Sequence, residues 1–226
     1  IHWNLDLAYN AIPCEIANNT IKYIQLFIRN PVNGIWAITL SKNDDEDTSV
    51  SKNIPKDTWK VVQYAKSQGL SVTINSNIVD YRDDSILTTS SVGGNFSTDT
   101  LFNSIATYES KIAGLAAKNG VGTFGVGYYQ FGFEDSQYQS KWQNVIDTIH
   151  KVYKGKLSYT TDYRSSTPLW SMVDIIGAGA HTDGVSAAGT IESISKQYNK
   201  PVILDNIHVM GGDSQPSQIR DILTAA

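Results

Sequence analysis

The chain has 226 residues, 41% of them hydrophobic, with a formal net charge of −4 and a pI near 5.5. That length suits one α/β domain, since α/β barrels run to about 200–250 residues as a single unit; the acidic balance, with basic residues scattered, excludes a surface that could neutralise a row of phosphates, so no nucleic-acid partner is expected. No apolar run approaches the roughly 18 residues that cross a bilayer, and a single cysteine, Cys14, excludes an internal disulfide and any multi-cysteine metal site.

Ile1 opens no recognisable signal peptide, and the start without Met suggests a processed chain or a piece of a larger one. Asn, Ser, Thr and Tyr are abundant while Lys and Glu are sparse, a texture common in extracellular and cell-surface proteins. Two sequons, at Asn18 and Asn95, are compatible with that setting.

Residues 2–9 alternate weakly and read as a first strand. Asn18 and Asn19 then stand where a helix cap would, ahead of Ile21, Ile24, Gln25 and Ile28 at helical spacing, so a helix is expected there. The compact apolar run 35–40, IWAITL, reads as a strand covered on both faces. The acidic loop that follows, with Asp44, Asp45, Glu46 and Asp47 adjacent, lacks the alternating ligands and turn glycine of a calcium loop and reads as solvated.

Pro55 opens a helix carrying Trp59, Val61, Val62 and Ala65 that stops at Gly69, and 71–79, SVTINSNIV, is a strand leading to Asp80 and Tyr81. A long Ser, Thr and Gly-rich loop spans 82–98, of a length that usually shapes a site. Leu101, Ile105, Tyr108, Ile112 and Leu115 line one face of a helix over about 100–119, closed by Gly120. The central stretch 123–142, TFGVGYYQFGFEDSQYQSKW, begins as a buried strand, passes through an aromatic run and reaches Glu134 and Asp135 before a helix over about 136–153. KLSYTTDY is a strand ending at Asp162 and Tyr163; residues 174–181 form another, ending on His181; a helix over 189–198 and a strand over 201–209 follow, and a last helix starts near Pro216.

Seven strands alternating with helices imply a parallel sheet with right-handed crossovers, hence a (β/α)8 TIM-type barrel, incomplete at the eighth strand in that none is visible before Ala226, as a single domain over 1–226. The missing strand predicts a gap or an interface between strands one and seven. Strand ends in such a fold line the ligand site, and here they carry Tyr81, Tyr128, Tyr129, Asp162, Tyr163, His181, Asn206 and His208, with the carboxylates Glu134 and Asp205. Aromatic faces stack on sugar C–H surfaces and planar polar groups take paired hydroxyls, so the expected partner is a carbohydrate. GVGYYQFG carries neither a P-loop lysine nor a dinucleotide fingerprint, and lone histidines at a barrel mouth are more often hydrogen-bonding residues than ligands; no cofactor and no metal are expected.

The blocks VVQYAKSQGLSVTINSNIVD, LFNSIATYESKIAGLAAKNGVGTFGVG, KWQNVIDTIHKVYKGKLSYTTDY, MVDIIGAGAH and SISKQYNKPVILDNIHV, in that order, resemble successive blocks of family 113 glycoside hydrolases. These are endo-mannanase-like barrels of the retaining class, and phage tail-associated barrel domains are similar. The resemblance implies two catalytic glutamates, an acid/base at the end of the fourth strand and a nucleophile on the seventh. Matched without gaps, those positions fall on Tyr129 and Asn206. Asn cannot form a stable glycosyl ester, and a phenol with a pKa of about 10 is a poor general acid near neutrality.

The expectation is therefore a carbohydrate-recognising, hydrolase-like barrel that has lost its reaction, a module alongside other domains or subunits of a larger surface or virion protein. An active retaining glycosidase on a β-linked, mannan-type polysaccharide is the alternative; it would use Glu134, five residues beyond Tyr129, with Asp205. A purely structural module is a third. Whether the chain is an enzyme stays open at this point.

Overall fold

The computed structural model describes residues 23–31, 58–67, 69, 71–79, 97–130, 132–181 and 184–208. Six strands form one parallel sheet in sequential order: β1 (Tyr23–Pro31), β2 (Ser71–Val79), β3 (Thr123–Tyr128), β4 (Lys156–Asp162), β5 (Ile175–His181) and β6 (Val202–His208). Between them lie α1 (Thr58–Ser67), α2 (Thr98–Lys118), α3 (Gln139–Val152) preceded by a 3-10 turn Ser136–Tyr138, the short α4 (Leu169–Met172) and α5 (Gly184–Tyr198). A sequential parallel sheet with a crossover helix between successive strands is the (β/α)8 barrel pattern, here six strands of it. Among the described residues no helix is long and apolar enough to cross a membrane.

One expectation fails. Residues 23–31 form β1 and not a helix, pairing with β2 in unbroken register from Tyr23↔Ser71 to Pro31↔Val79. Ile24 and Ile28 satisfy helical spacing, but YIQLFIRNP is also rich in β-formers, and a short apolar run cannot be assigned by period alone. Pairing along the whole length of β2 decides it, an interaction that no local window contains. The other five strands and the helices α1, α2 and α3 agree closely in place with expectation, while α5 begins earlier than expected, at Gly184. The strands expected over 2–9 and 35–40, the acidic loop, most of the 82–98 loop and the helix near Pro216 lie outside the described residues, and so does any approach of strand one to strand seven.

Local chemistry explains the boundaries. The Ser97 side chain accepts from Thr100 N–H (3.4 Å), with Asp99 in the first turn and Lys118 in the last, so α2 is capped and matched to its dipole. Gly120, at φ 66°, turns the chain out of the helix into β3. In α3, Trp142, Val145, Ile146 and Ile149 are buried at helical spacing.

The strands divide their side chains between two faces. Val72, Ile74, Phe124, Val126, Leu157, Tyr159 and Ile176 join Leu101, Phe102, Ile105, Trp142, Val145 and Ile149 in one buried cluster, the layer between sheet and helices. The alternate positions, Thr73, Asn75, Gly125, Ser158, Thr160, Gly177 and Gly179, face the barrel interior. Register partners there fit closely: a Cβ on Gly125 would overlap the Asn75 side chain, and one on Gly177 would stand 2.8 Å from Thr160 Cα.

Two register shifts break this regularity. Gly125 pairs with Ser158 but Tyr128 with Thr160, so β3 carries one extra residue; Ala178 pairs with Leu204 but Gly179 with Asn206, leaving Asp205 unopposed on β6. Bulges of this kind re-aim side chains beside functional sites. Both fall near the C-terminal ends of strands that carry expected site residues.

Candidate functional site

The bulge in β3 puts Tyr128 opposite inward-facing Thr160 and delivers the chain to Tyr129. Tyr129 has φ 53°, left-handed space that a bulky residue occupies only when its surroundings hold it. Its N–H donates to Thr160 O (2.9 Å), and its ring packs edge-on against Tyr128 at 4.6 Å between centroids. The ring crosses β4 to reach β5, where its hydroxyl fills the space that a Cβ on Gly179 would need. Gly179 is the register partner of Asn206 on β6. Tyr129 and the Asn206 backbone, placed by resemblance at the acid/base and nucleophile positions, thus meet at one glycine on the inner face.

Glu134 lies elsewhere. Its Oε1 accepts the Tyr159 hydroxyl at 2.6 Å, and Tyr159 belongs to the helix-facing layer, ring to ring with Trp142. The Glu134 side is fixed by its neighbours: the Thr167 hydroxyl donates to its main-chain O (3.1 Å), and Trp142 Nε1 donates to Phe133 O (2.8 Å). Burial raises the Glu134 pKa above the usual carboxylate value; the Tyr159, Thr161 and Ser165 hydroxyls pull it back and Asp135 adds repulsion. Burial, then the carboxylate beside it, holds the Tyr159 phenol well above its ordinary value. A raised carboxyl is the chemistry of a general acid, but this one is turned toward the helices and not toward Gly179.

The other expected residues divide between these faces. Asp162 ends β4 opposite Gly179 and is forked by Arg164, Nε to Oδ1 at 2.9 Å and a terminal nitrogen to Oδ2 at 2.8 Å. Tyr163 is buried with Ala178, against Ile191 of α5, and the Arg164 guanidinium stands 5.5 Å from its ring centre. Tyr163 therefore packs in the helix layer and does not stand at the mouth as a platform. His181 and His208 are register partners at the tops of β5 and β6, and Tyr81 lies outside the described residues. Among the described residues no group of three His, Cys, Asp or Glu could hold a metal ion.

Sequence reasoning missed Tyr159, Gln130 and Gly179. Tyr159 reads as one more apolar strand residue, and nothing local marks its hydroxyl. Gly177-Ala178-Gly179 did carry a signal: glycines at alternate strand positions leave one face bare for a neighbour to approach.

The sequence model described as Glycoside Hydrolase Family 113 matches residues 18–218. The chain belongs to glycoside hydrolase family 113. Among solved structures, this family 113 chain resembles a GH113 β-1,4-mannanase in a complex (TM-score 0.64, 19% identity, covering 87% of this chain and 64% of that one). A second GH113 β-1,4-mannanase structure gives TM-score 0.63 at 21% identity, covering 88% and 65%. The GH113 β-mannanase AaManA from Alicyclobacillus acidocaldarius in complex with ManMIm gives 0.61 at 17%, covering 74% and 61%. At such identities the likeness shows the fold, and the chain spans about two-thirds or less of the length of these relatives. No match was found among curated protein sequences.

Proposed function

We propose that this family 113 barrel recognises a β-linked, mannan-type carbohydrate without hydrolysing it, as a module of a larger extracellular or virion-surface protein. The observation that carries this reading is the pairing of Tyr129 with Gly179 on the inner face while Glu134 is bonded to Tyr159 in the helix layer. A retaining glycosidase needs two carboxylates about 5–5.5 Å apart facing one sugar. With a phenol at the first position and an amide at the second, no glycosyl ester forms and no acid of suitable pKa protonates the leaving oxygen. Tyr, Asn and Asp groups at the strand ends remain able to hydrogen-bond hydroxyls.

The test is incubation with a panel of β-1,4-linked manno-, gluco- and galacto-oligosaccharides, reading reducing-end release and binding by calorimetry. Binding in roughly the millimolar to micromolar range, about −4 to −8 kcal/mol, with no release above background, is expected. Hydrolysis abolished by Glu134→Gln would install the second reading, an active glycosidase using Glu134 with Asp205. One observation favours that reading: the register of β6 shifts at Asp205, which interrupts the regular two-residue alternation of the strand there. Absence of both binding and release leaves an architectural module.

A further inference from the structure

Tyr159 places its hydroxyl between two partners on the chain that follows β3. It donates to Glu134 Oε1 at 2.6 Å and accepts Gln130 N–H at 3.1 Å. Gln130 follows Tyr129 directly, and its side-chain amide reaches back to Tyr128 O (2.8 Å) and Ile78 O (3.3 Å). The residue at φ 53° is thus bracketed, its own N–H on Thr160 O and the next N–H on Tyr159. An unfavourable backbone conformation of this kind persists only while such bonds over-determine it.

We propose that Glu134 and Tyr159 are a positioning pair that holds Tyr129 in its left-handed conformation against Gly179, and that the protonation of Glu134 sets how firmly it is held. The inference does not depend on whether a sugar binds, because it concerns the bonds within the fold. It gives Glu134 a use other than catalysis and explains why a carboxyl is kept in the helix layer.

The direction follows from linkage. The titratable groups acting on Glu134 are Tyr159 of β4 and Asp135 of its own segment; α2 and α3 meet this segment with Phe102 and Trp142, which do not titrate. Burial raises the Glu134 pKa in the held state, whereas an opening that admits water returns it to the ordinary value. The held state therefore binds the proton more tightly. Its advantage is complete below the ordinary glutamate pKa and is lost as pH rises through the raised one.

Hydrogen exchange of the Gln130 amide in the full chain reads this directly, expressed as protection relative to the intrinsic rate at each pH. Protection should fall by up to about tenfold per pH unit between the ordinary and the raised pKa, because opening releases one proton. In Glu134→Gln the fall should disappear. In Tyr159→Phe, which keeps the carboxyl but removes the acceptor, protection should drop roughly ten- to hundredfold at every pH, and the ring 13C signals of Tyr129, assigned with Tyr129→Phe, should shift. Should Tyr159→Phe fail to fold, Glu134→Ala, which strips Tyr159 of its acceptor, serves in its place. Wild-type protection indifferent to pH, or an equal fall in Glu134→Gln, overturns the coupling. Unchanged protection together with an unmoved Tyr129 signal in Tyr159→Phe overturns the positioning role.

Discussion

Two glycines two residues apart on β5 show how single atoms shape this barrel. A Cβ at Gly177 would meet the β4 backbone, 2.8 Å from Thr160 Cα, and backbone in mid-sheet cannot move aside without breaking its ladder. The atoms nearest a Cβ at Gly179 would be those at the far end of the Tyr129 ring. Gly177→Ala should therefore lower stability by about 1–3 kcal/mol, the usual scale of overpacking. Gly179→Ala should cost less and should instead displace the Tyr129 ring, visible as a shifted ring signal. Chemical denaturation of both variants checks this; equal losses would mean that the ring is as immovable as the strand. Of the candidate site, the residue types were legible in the sequence, since Tyr129, Asp162 and Asn206 were picked out as strand-end residues. The facing of Tyr129 was not, because a bulge and one positive φ redirect its side chain without leaving a compositional trace.

At the scale of elements, α3 is tied to the strand ends by one side chain. Trp142 is 1% exposed, donates to Phe133 O at 2.8 Å and packs edge-on against Phe102 at 5.3 Å. The helix thereby fixes the segment in which Glu134 sits, and Tyr159 braces the same indole from the sheet side at 5.9 Å. Trp142→Phe removes the donor, leaves a buried carbonyl unpaired and opens a small cavity, together about 2–4 kcal/mol. Urea titration of this variant beside an exposed control on the same helix, Gln143→Ala, measures it; a loss no larger than the control's would remove Trp142 as the tie. Helices α1, α2 and α3 were all legible from apolar spacing with capping and stop signals. β1 was not, because its identity rests on nine partners in β2, some fifty residues away in sequence.

For the whole molecule, sheet and helices share one buried cluster reaching from Val62 of α1 to Ile194 of α5, so a ligand at the strand ends should stabilise the unit as a whole. At a hundredfold excess over Kd the gain is about 2.7 kcal/mol, which for a chain of this size corresponds to a rise in Tm of roughly 5–10 °C. Thermal melts with and without the oligosaccharide that binds in calorimetry provide the measurement. A saturating sugar that leaves Tm unmoved would speak against recognition by the native fold.

The alternation of apolar strands with amphipathic helices, the helix ends and the blocks shared with family 113 are properties of neighbouring residues, and the sequence by itself determined them: a parallel barrel, the order of its elements from α1 onward and its strand-end residues. Tertiary structure alone decided that residues 23–31 pair as a strand, that Tyr129 turns inward onto Gly179, and that Glu134 turns outward onto Tyr159. The physical reason is common to all three. Each depends on a partner fixed by packing or hydrogen bonding across strands or segments that a local window does not join, so the same residues in isolation are compatible with either outcome.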